Sequence, residues 1–136
     1  MREILFRGKC KDSNEWVYGG YTKPDYPAKD YAIIWESWEG GAGFGTHVIP
    51  ETVGQFTGLL DKNDVKIFEG DIVKTDLDFE PDERVGLVGK IVFHSCKFSF
   101  EFPLWKNSNP SPLDAFHNTE IIGNIHDNPE LLEVKP

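Results

Sequence analysis

Apolar residues in this chain come in short runs that alternate with polar ones, and turn-forming residues separate the runs. Such a period of two predicts strands rather than helices. Glu3 to Lys9 sets Ile4 and Phe6 on one face and predicts a first strand. Asp12-Ser13-Asn14 is a turn signal, and Glu15 to Tyr21 reads as a second strand, so the two form a hairpin. Gly19-Gly20 inside that strand predicts a bulge. Lys23 to Lys29, with Pro24 and Pro27, reads as a loop before a third strand from Tyr31 to Trp35. The glycines of Glu39 to Gly45 predict a flexible turn, and His47-Val48-Ile49 resumes extended structure until Pro50 interrupts it.

The second part of the chain is patterned more sharply. Thr52 to Leu60 and Val65 to Ile67 predict a hairpin around Asp61 to Asp64, where Asn63-Asp64 tolerate positive φ. Gly70-Asp71 punctuates before a strand from Ile72 to Leu77. Asp78 to Glu83 is an acidic loop around Pro81. Val85 to His94 and Lys97 to Phe102 predict a further hairpin, with Phe98, Phe100 and Phe102 on one face. Pro103 to Pro112 reads as a loop, Thr119 to Ile125 as the last strand, and Asn128-Pro129 as the N-cap and first residue of a short helical turn. The pattern predicts an all-β protein. By analogy, the five short strands over about residues 52–127 suggest a small SH3-like barrel, with residues 1–50 as an N-terminal β-hairpin arm and 51–136 as the barrel-like part of a single domain.

Composition narrows the classes. A chain of 136 residues buries a core without disulfides or metal, and 39% hydrophobic content favours a soluble globular protein over disorder. The net charge of −9 opposes generic binding to polyanions, which needs clustered Lys and Arg. Cys10 and Cys96 are the only cysteines, and with no signal-peptide pattern they are expected as free thiols in a reducing cytoplasm. No apolar run approaches a membrane span.

Three motifs carry a resemblance. The opening Met1-Arg2-Glu3-Ile4-Leu5-Phe6-Arg7-Gly8 is the first. The second is Val53-Gly54-Gln55-Phe56-Thr57-Gly58-Leu59, followed by Asp61-Lys62-Asn63 and Ile67-Phe68-Glu69-Gly70-Asp71-Ile72-Val73. The third is Ile121-Ile122-Gly123-Asn124-Ile125-His126-Asp127-Asn128-Pro129-Glu130-Leu131-Leu132. Together they resemble the YopX family of phage and prophage proteins, across essentially the whole chain. The resemblance implies an intracellular, phage-derived, mostly β protein in the cytoplasm of a bacterial host. It implies no activity, because the family brings no established biochemical function. Asp64 departs from the pattern, which has Gly after Asp-Lys-Asn, and a changed hairpin tip is expected there. Tyr21 to Thr46 and Leu77 to Pro112 carry no family signature, so any function particular to this chain is expected on those variable segments.

Candidate chemistry is sparse. Asp76, Asp78, Glu80, Asp82 and Glu83 form the densest acidic cluster, but Pro81 and Leu87 stand where an EF-hand loop needs Gly and Glu, so a solvated loop is expected. His94-Ser95-Cys96 lacks the second ligand pair of a zinc site, and His47, His117 and His126 are scattered. Gly40-Gly41-Ala42-Gly43-Phe44-Gly45 lacks the Lys and Ser/Thr of a phosphate loop. No catalytic residue, metal ligand or cofactor is therefore expected. Two surface readings remain. Trp16, Tyr18, Tyr21, Tyr26, Tyr31, Trp35, Trp38 and Phe44 crowd aromatics into the first third, as core or as a patch for partner proteins or self-association. Lys90, Lys97 and Lys106 accompany Phe93, Phe98, Phe100 and Trp105, a weak signature of a nucleic-acid-binding face. The leading expectation is a non-enzymatic protein-interaction module that forms homo-oligomers. The alternative is a nucleic-acid-binding β-barrel.

Overall fold

The structure is a computed structural model that describes residues 3–22, 32–36, 43–77, 84–103, 111–113 and 116–133. The chain divides into two compact units, Met1–Gly58 and Leu59–Pro136. Among the described residues the regular structure is antiparallel strand with two 3₁₀ turns, and the all-β expectation holds.

The first unit contains β1 (Phe6–Lys9), β2 (Trp16–Thr22), β3 (Ala32–Glu36), β4 (Phe44–Val48), a 3₁₀ turn at Pro50–Thr52 and most of β5 (Gly54–Leu60). Their order is β4-β3-β2-β1-β5. The predicted β1–β2 hairpin forms, with Phe6 opposite Gly19 and Lys9 opposite Trp16. No bulge interrupts that pairing. Ala32, Ile34 and Val48 are fully buried, and Phe6, Val17, Tyr21 and Val53 pack on them. Strand β4 begins at Phe44, so the predicted glycine turn stops short of Gly45. The sheet rolls enough for one isolated bridge, Cys10 to Val48, to tie the end of β4 back beside β1. The Ile49 amide donates to the Lys9 carbonyl at 2.9 Å next to it. Gly8 permits this roll, because a Cβ there would stand 2.7 Å from Val48 Cγ2.

In the second unit the chain leaves β5 through the corner Asp61–Val65 and returns as β6 (Lys66–Phe68). Then come β7 (Asp71–Leu77), β8 (Arg84–His94), β9 (Lys97–Glu101), β10 (Ser111–Pro112), β11 (Phe116–Asn124) and a 3₁₀ turn at Pro129–Leu132. The sheet order is β10-β9-β8-β7-β11. This corrects the expected closed SH3-like barrel over residues 52–127: β10 and β11 are opposite edges of an open sheet. Closure requires the outer strands to meet in register, and local alternation does not encode that. The core holds Ile67, Val73, Ile91, Phe100 and Phe102, with Phe116 edge-on to Phe100 at 4.7 Å between ring centroids. Phe98 is only half-buried and turns to Phe93 instead.

The motif residues prove to be scaffold. The carboxylate of Asp61 accepts the amides of Asn63, Val65 and Ile121 at 2.8, 2.9 and 3.2 Å, binding its own hairpin to β11. Gly70, at φ 92°, donates to the Ile91 carbonyl and accepts from the Ile125 amide. Asn124 Oδ1 accepts the amides of His126 and Asp127, which builds the turn after β11. Asn128 is the N-cap of the Pro129–Leu132 turn, as predicted, but its side chain makes no cap bond, and its Oδ1 accepts the Asn124 amide at 3.3 Å. Of the expected positive-φ pair, only Asp64 adopts it, at 63°.

The β8–β9 hairpin closes on Ser95 and Cys96, both at positive φ (52° and 64°) between the paired His94 and Lys97. That is the dihedral demand of a type I′ turn, which Asn-Gly meets with less strain. The double change Ser95→Asn, Cys96→Gly is expected to stabilise the protein by about 1 kcal/mol. A rise in the urea midpoint without a change in slope checks this, and a fall counts against it.

Candidate binding face

Strand pairing assigns each side chain of the first unit to a face, because antiparallel partners project to the same side. Phe6, Val17, Tyr21, Ile34 and Val48 share the core face. The opposite face carries Arg7 and Lys9 from β1, and Trp16, Tyr18, Gly20 and Thr22 from β2. It carries Ile33 and Trp35 from β3, and Gly45 and His47 from β4. None of these residues is acidic, although the chain as a whole has a net charge of −9. Tyr18 and Trp35 are 46% and 45% exposed, and Trp16 is half-buried.

This face is held in shape by identifiable contacts. The Arg7 side chain is buried with its guanidinium 4.7 Å from the Trp16 ring centroid, a cation–π distance. Trp35 Nε1 donates to Thr22 Oγ1 at 2.6 Å. Gly45 lies under the Trp35 ring, where a Cβ would come within 3.1 Å of it. Gly20, directly opposite Trp35, has nothing within 4 Å of its Cβ position. An open slot therefore separates Tyr18 from Trp35. Of the other aromatics singled out in the sequence, Tyr21 is core and Phe44 is exposed on the core side of β4, while Tyr26, Tyr31 and Trp38 lie outside the described residues.

The second unit holds a cavity of about 260 Å³ floored by Ile67, Ile91, Phe100, Leu113 and Phe116. Its polar rim is already occupied. Burial works to raise the Asp61 pKa, but the Val65, Ile121 and Asn63 amides and the Lys62 charge outweigh it and hold the carboxyl below its usual range. Lys62 pairs with Glu120 at 3.2 Å, Thr119 Oγ1 lies 2.7 Å from Thr75 Oγ1, and Asn118 donates to Asp76. The cavity is also smaller than usual ligand pockets, which run from about 300 Å³.

Among the described residues, the remaining sequence candidates do not gather into one site. Asp76 accepts the Gly86 amide at 2.8 Å and the Asn118 amide, and these lower its pKa; Asp78, Glu80, Asp82 and Glu83 lie outside the described residues. His94 Nδ1 meets Ser95 Oγ at 3.1 Å, at the exposed hairpin tip beside Cys96. Among the described residues, no three His, Cys, Asp or Glu gather as a metal site. His47 lies on β4, His117 on β11 and His126 in the following turn. In the basic-aromatic region of the second unit, Phe93 and Lys97 are exposed, and Phe98 packs on Phe93 at 5.2 Å between ring centroids. Lys90 pairs with Glu101 at 3.4 Å, Phe100 is core, and Trp105 and Lys106 lie outside the described residues. Gly40 to Ala42 also lie outside them. Among the described residues, no helix is long and apolar enough to cross a membrane.

The sequence offered the first-third aromatics as core or as a patch, and strand pairing divides them: Trp16, Tyr18 and Trp35 share one face and Tyr21 the other. The aromatics were visible, but their shared side depends on how β3 registers against β2 across residues 23–31.

The crystal structure of protein EF1440 from Enterococcus faecalis is similar over 98% of this chain and 100% of its own, at 26% identity and a TM-score of 0.55. No curated protein matches the sequence. The model of the YopX protein family matches residues 5–133, nearly the whole chain, and with the three motifs now seen as the hydrogen-bonded scaffold, the chain belongs to the YopX family.

Proposed function

We propose that the chain is a non-enzymatic protein-interaction module, phage- or prophage-derived and acting in the cytoplasm of a bacterial host, and that its contact surface is the open aromatic face of the first unit. The observation that carries this reading is the pair Tyr18 and Trp35, half-exposed on neighbouring strands around the vacant slot over Gly20. Large aromatics left in water on one sheet face are characteristic of interaction surfaces. Among the described residues, the carboxylates of Asp61 and Asp76 are engaged by the scaffold, which favours a surface role over chemistry at the cavity.

Charge decides against nucleic acid as the leading partner. Among the described residues the cations of the face are Arg7, which is buried against Trp16, and Lys9, too few for the phosphate neutralisation that drives such binding. The net charge of −9 opposes it further.

Capture from host lysate tests the reading, using tagged full chain with and without nuclease, beside a Trp35→Ala variant shown by thermal melting to be folded. A protein retained after nuclease and lost in Trp35→Ala is the expected result. Retention independent of Trp35, or loss on nuclease treatment, overturns it.

A further inference from the structure

The cavity of the second unit has an apolar floor and a rim whose charged groups are already engaged. We infer that it is a binding site for a small, uncharged, apolar molecule of one or two rings, lined by the Asp61 corner and the start of β11.

Size sets the first limit. An apolar cavity of about 150 Å³ takes up one benzene molecule. At about 260 Å³ this one admits a substituted or fused ring and is too small for a nucleotide.

The wall sets the class. Ile67, Ile91 and Phe100 belong to the core of the unit, so the cavity opens on one side of that core. Phe100 and Phe116, edge to face at 74°, both line it, and such rings accept a further ring in either stacked or edge-on geometry. A hydrocarbon floor offers water no hydrogen bond, so an apolar guest displaces water from it favourably. At the mouth, Leu59 and Leu60 are 46% and 50% exposed. They extend the apolar wall outward, and a guest removes part of their area from water.

Charge excludes the alternatives. Asp61 and Lys62 are the formally charged residues among the described ones that line the cavity. Three backbone amides hold the Asp61 carboxylate, and Lys62 pairs with Glu120. A charged ligand would therefore give up its hydration without gaining a partner. A carboxylate would also meet the like charge of Asp61. The lining residues all belong to the second unit, so the site stands or falls apart from the aromatic contact face.

Titration of the full chain, labelled at isoleucine and leucine methyl groups, with toluene, indole and benzoate tests this. Saturable shifts with toluene and indole at Ile67, Ile91 and Leu113 are expected, with a Kd of about 1 mM or below. Nuclear Overhauser contacts from ligand protons to the same methyl groups are expected with them. Benzoate is expected to leave those methyl groups unmoved. Leu60→Ser, shown by thermal melting to be folded, is expected to weaken toluene and indole about fivefold. No saturable shift from either neutral probe up to its solubility limit overturns the inference. So do ligand contacts confined to methyl groups outside the cavity, or an affinity unchanged in Leu60→Ser. Benzoate binding as tightly as toluene overturns the assignment of an uncharged ligand.

Discussion

Replacing Asp61 with alanine is expected to cost the protein about 3–4 kcal/mol of stability. The carboxylate is 6% exposed and takes three backbone amides, two from its own hairpin and one from Ile121. Hydrogen bonds to a charged acceptor contribute about 1.5–3 kcal/mol each, and amides left unpaired in a buried site add a desolvation cost. The sum is held down by water entering at the exposed Asn63 and Val65. Against a total of roughly 5–15 kcal/mol, such a loss is near the limit the protein tolerates. A pH dependence follows with a definite sign. The Asp61 carboxyl ionises more easily folded than unfolded, so its contribution is complete above the unfolded value of about 3.9 and fades as pH falls through the lower folded value. Asp76 acts in the same direction. Urea unfolding of Asp61→Asn from neutral pH to pH 3 is expected to show lower stability at neutrality and a flatter acid limb than the parent. A parallel acid limb refutes the assignment.

Gly19→Ala is expected to be the most damaging change in the first unit, at about 3 kcal/mol, while Gly20→Ala one residue on changes stability by less than about 0.5 kcal/mol. A Cβ on Gly19 would stand 2.0 Å from the Trp35 carbonyl oxygen, a backbone atom that moves only if β3 moves. A Cβ on Gly20 meets nothing within 4 Å. Thermal melts of the two variants check the contrast, and equal melts contradict the packing. Gly20→Ala has a second use, since its methyl group fills the slot between Tyr18 and Trp35 and is expected to weaken partner binding in a protein that melts like the parent.

The strands and their hairpins were legible because alternation and turn residues are local. Asp12-Ser13-Asn14, Asp61 to Asp64 and Gly70-Asp71 each punctuate where the chain turns. Long-range geometry was not legible. Asp61 read as a turn residue, and its bond to Ile121 spans 60 positions that no local pattern connects. Asn128 read as a cap from its neighbour Pro129 and holds that position, but the return of its amide oxygen to Asn124, past the close approach at Gly123, had no local signal. The supposed barrel was an open sheet for the same reason, and the aromatic face depended on the register of Gly20 against Trp35.

The pairing of β7 with β11 bears on how the protein is made. β7 ends at Leu77, and the partner on its free side begins only at Phe116. A ribosome adding about 5–20 residues per second needs seconds to supply that stretch. Throughout that interval β7 has an unpaired edge, and Asp61 has only the amides of its own hairpin. A strand made well after β7 therefore completes the second sheet, and the interval before its arrival is when the nascent chain is most open to edge-to-edge association with its neighbours.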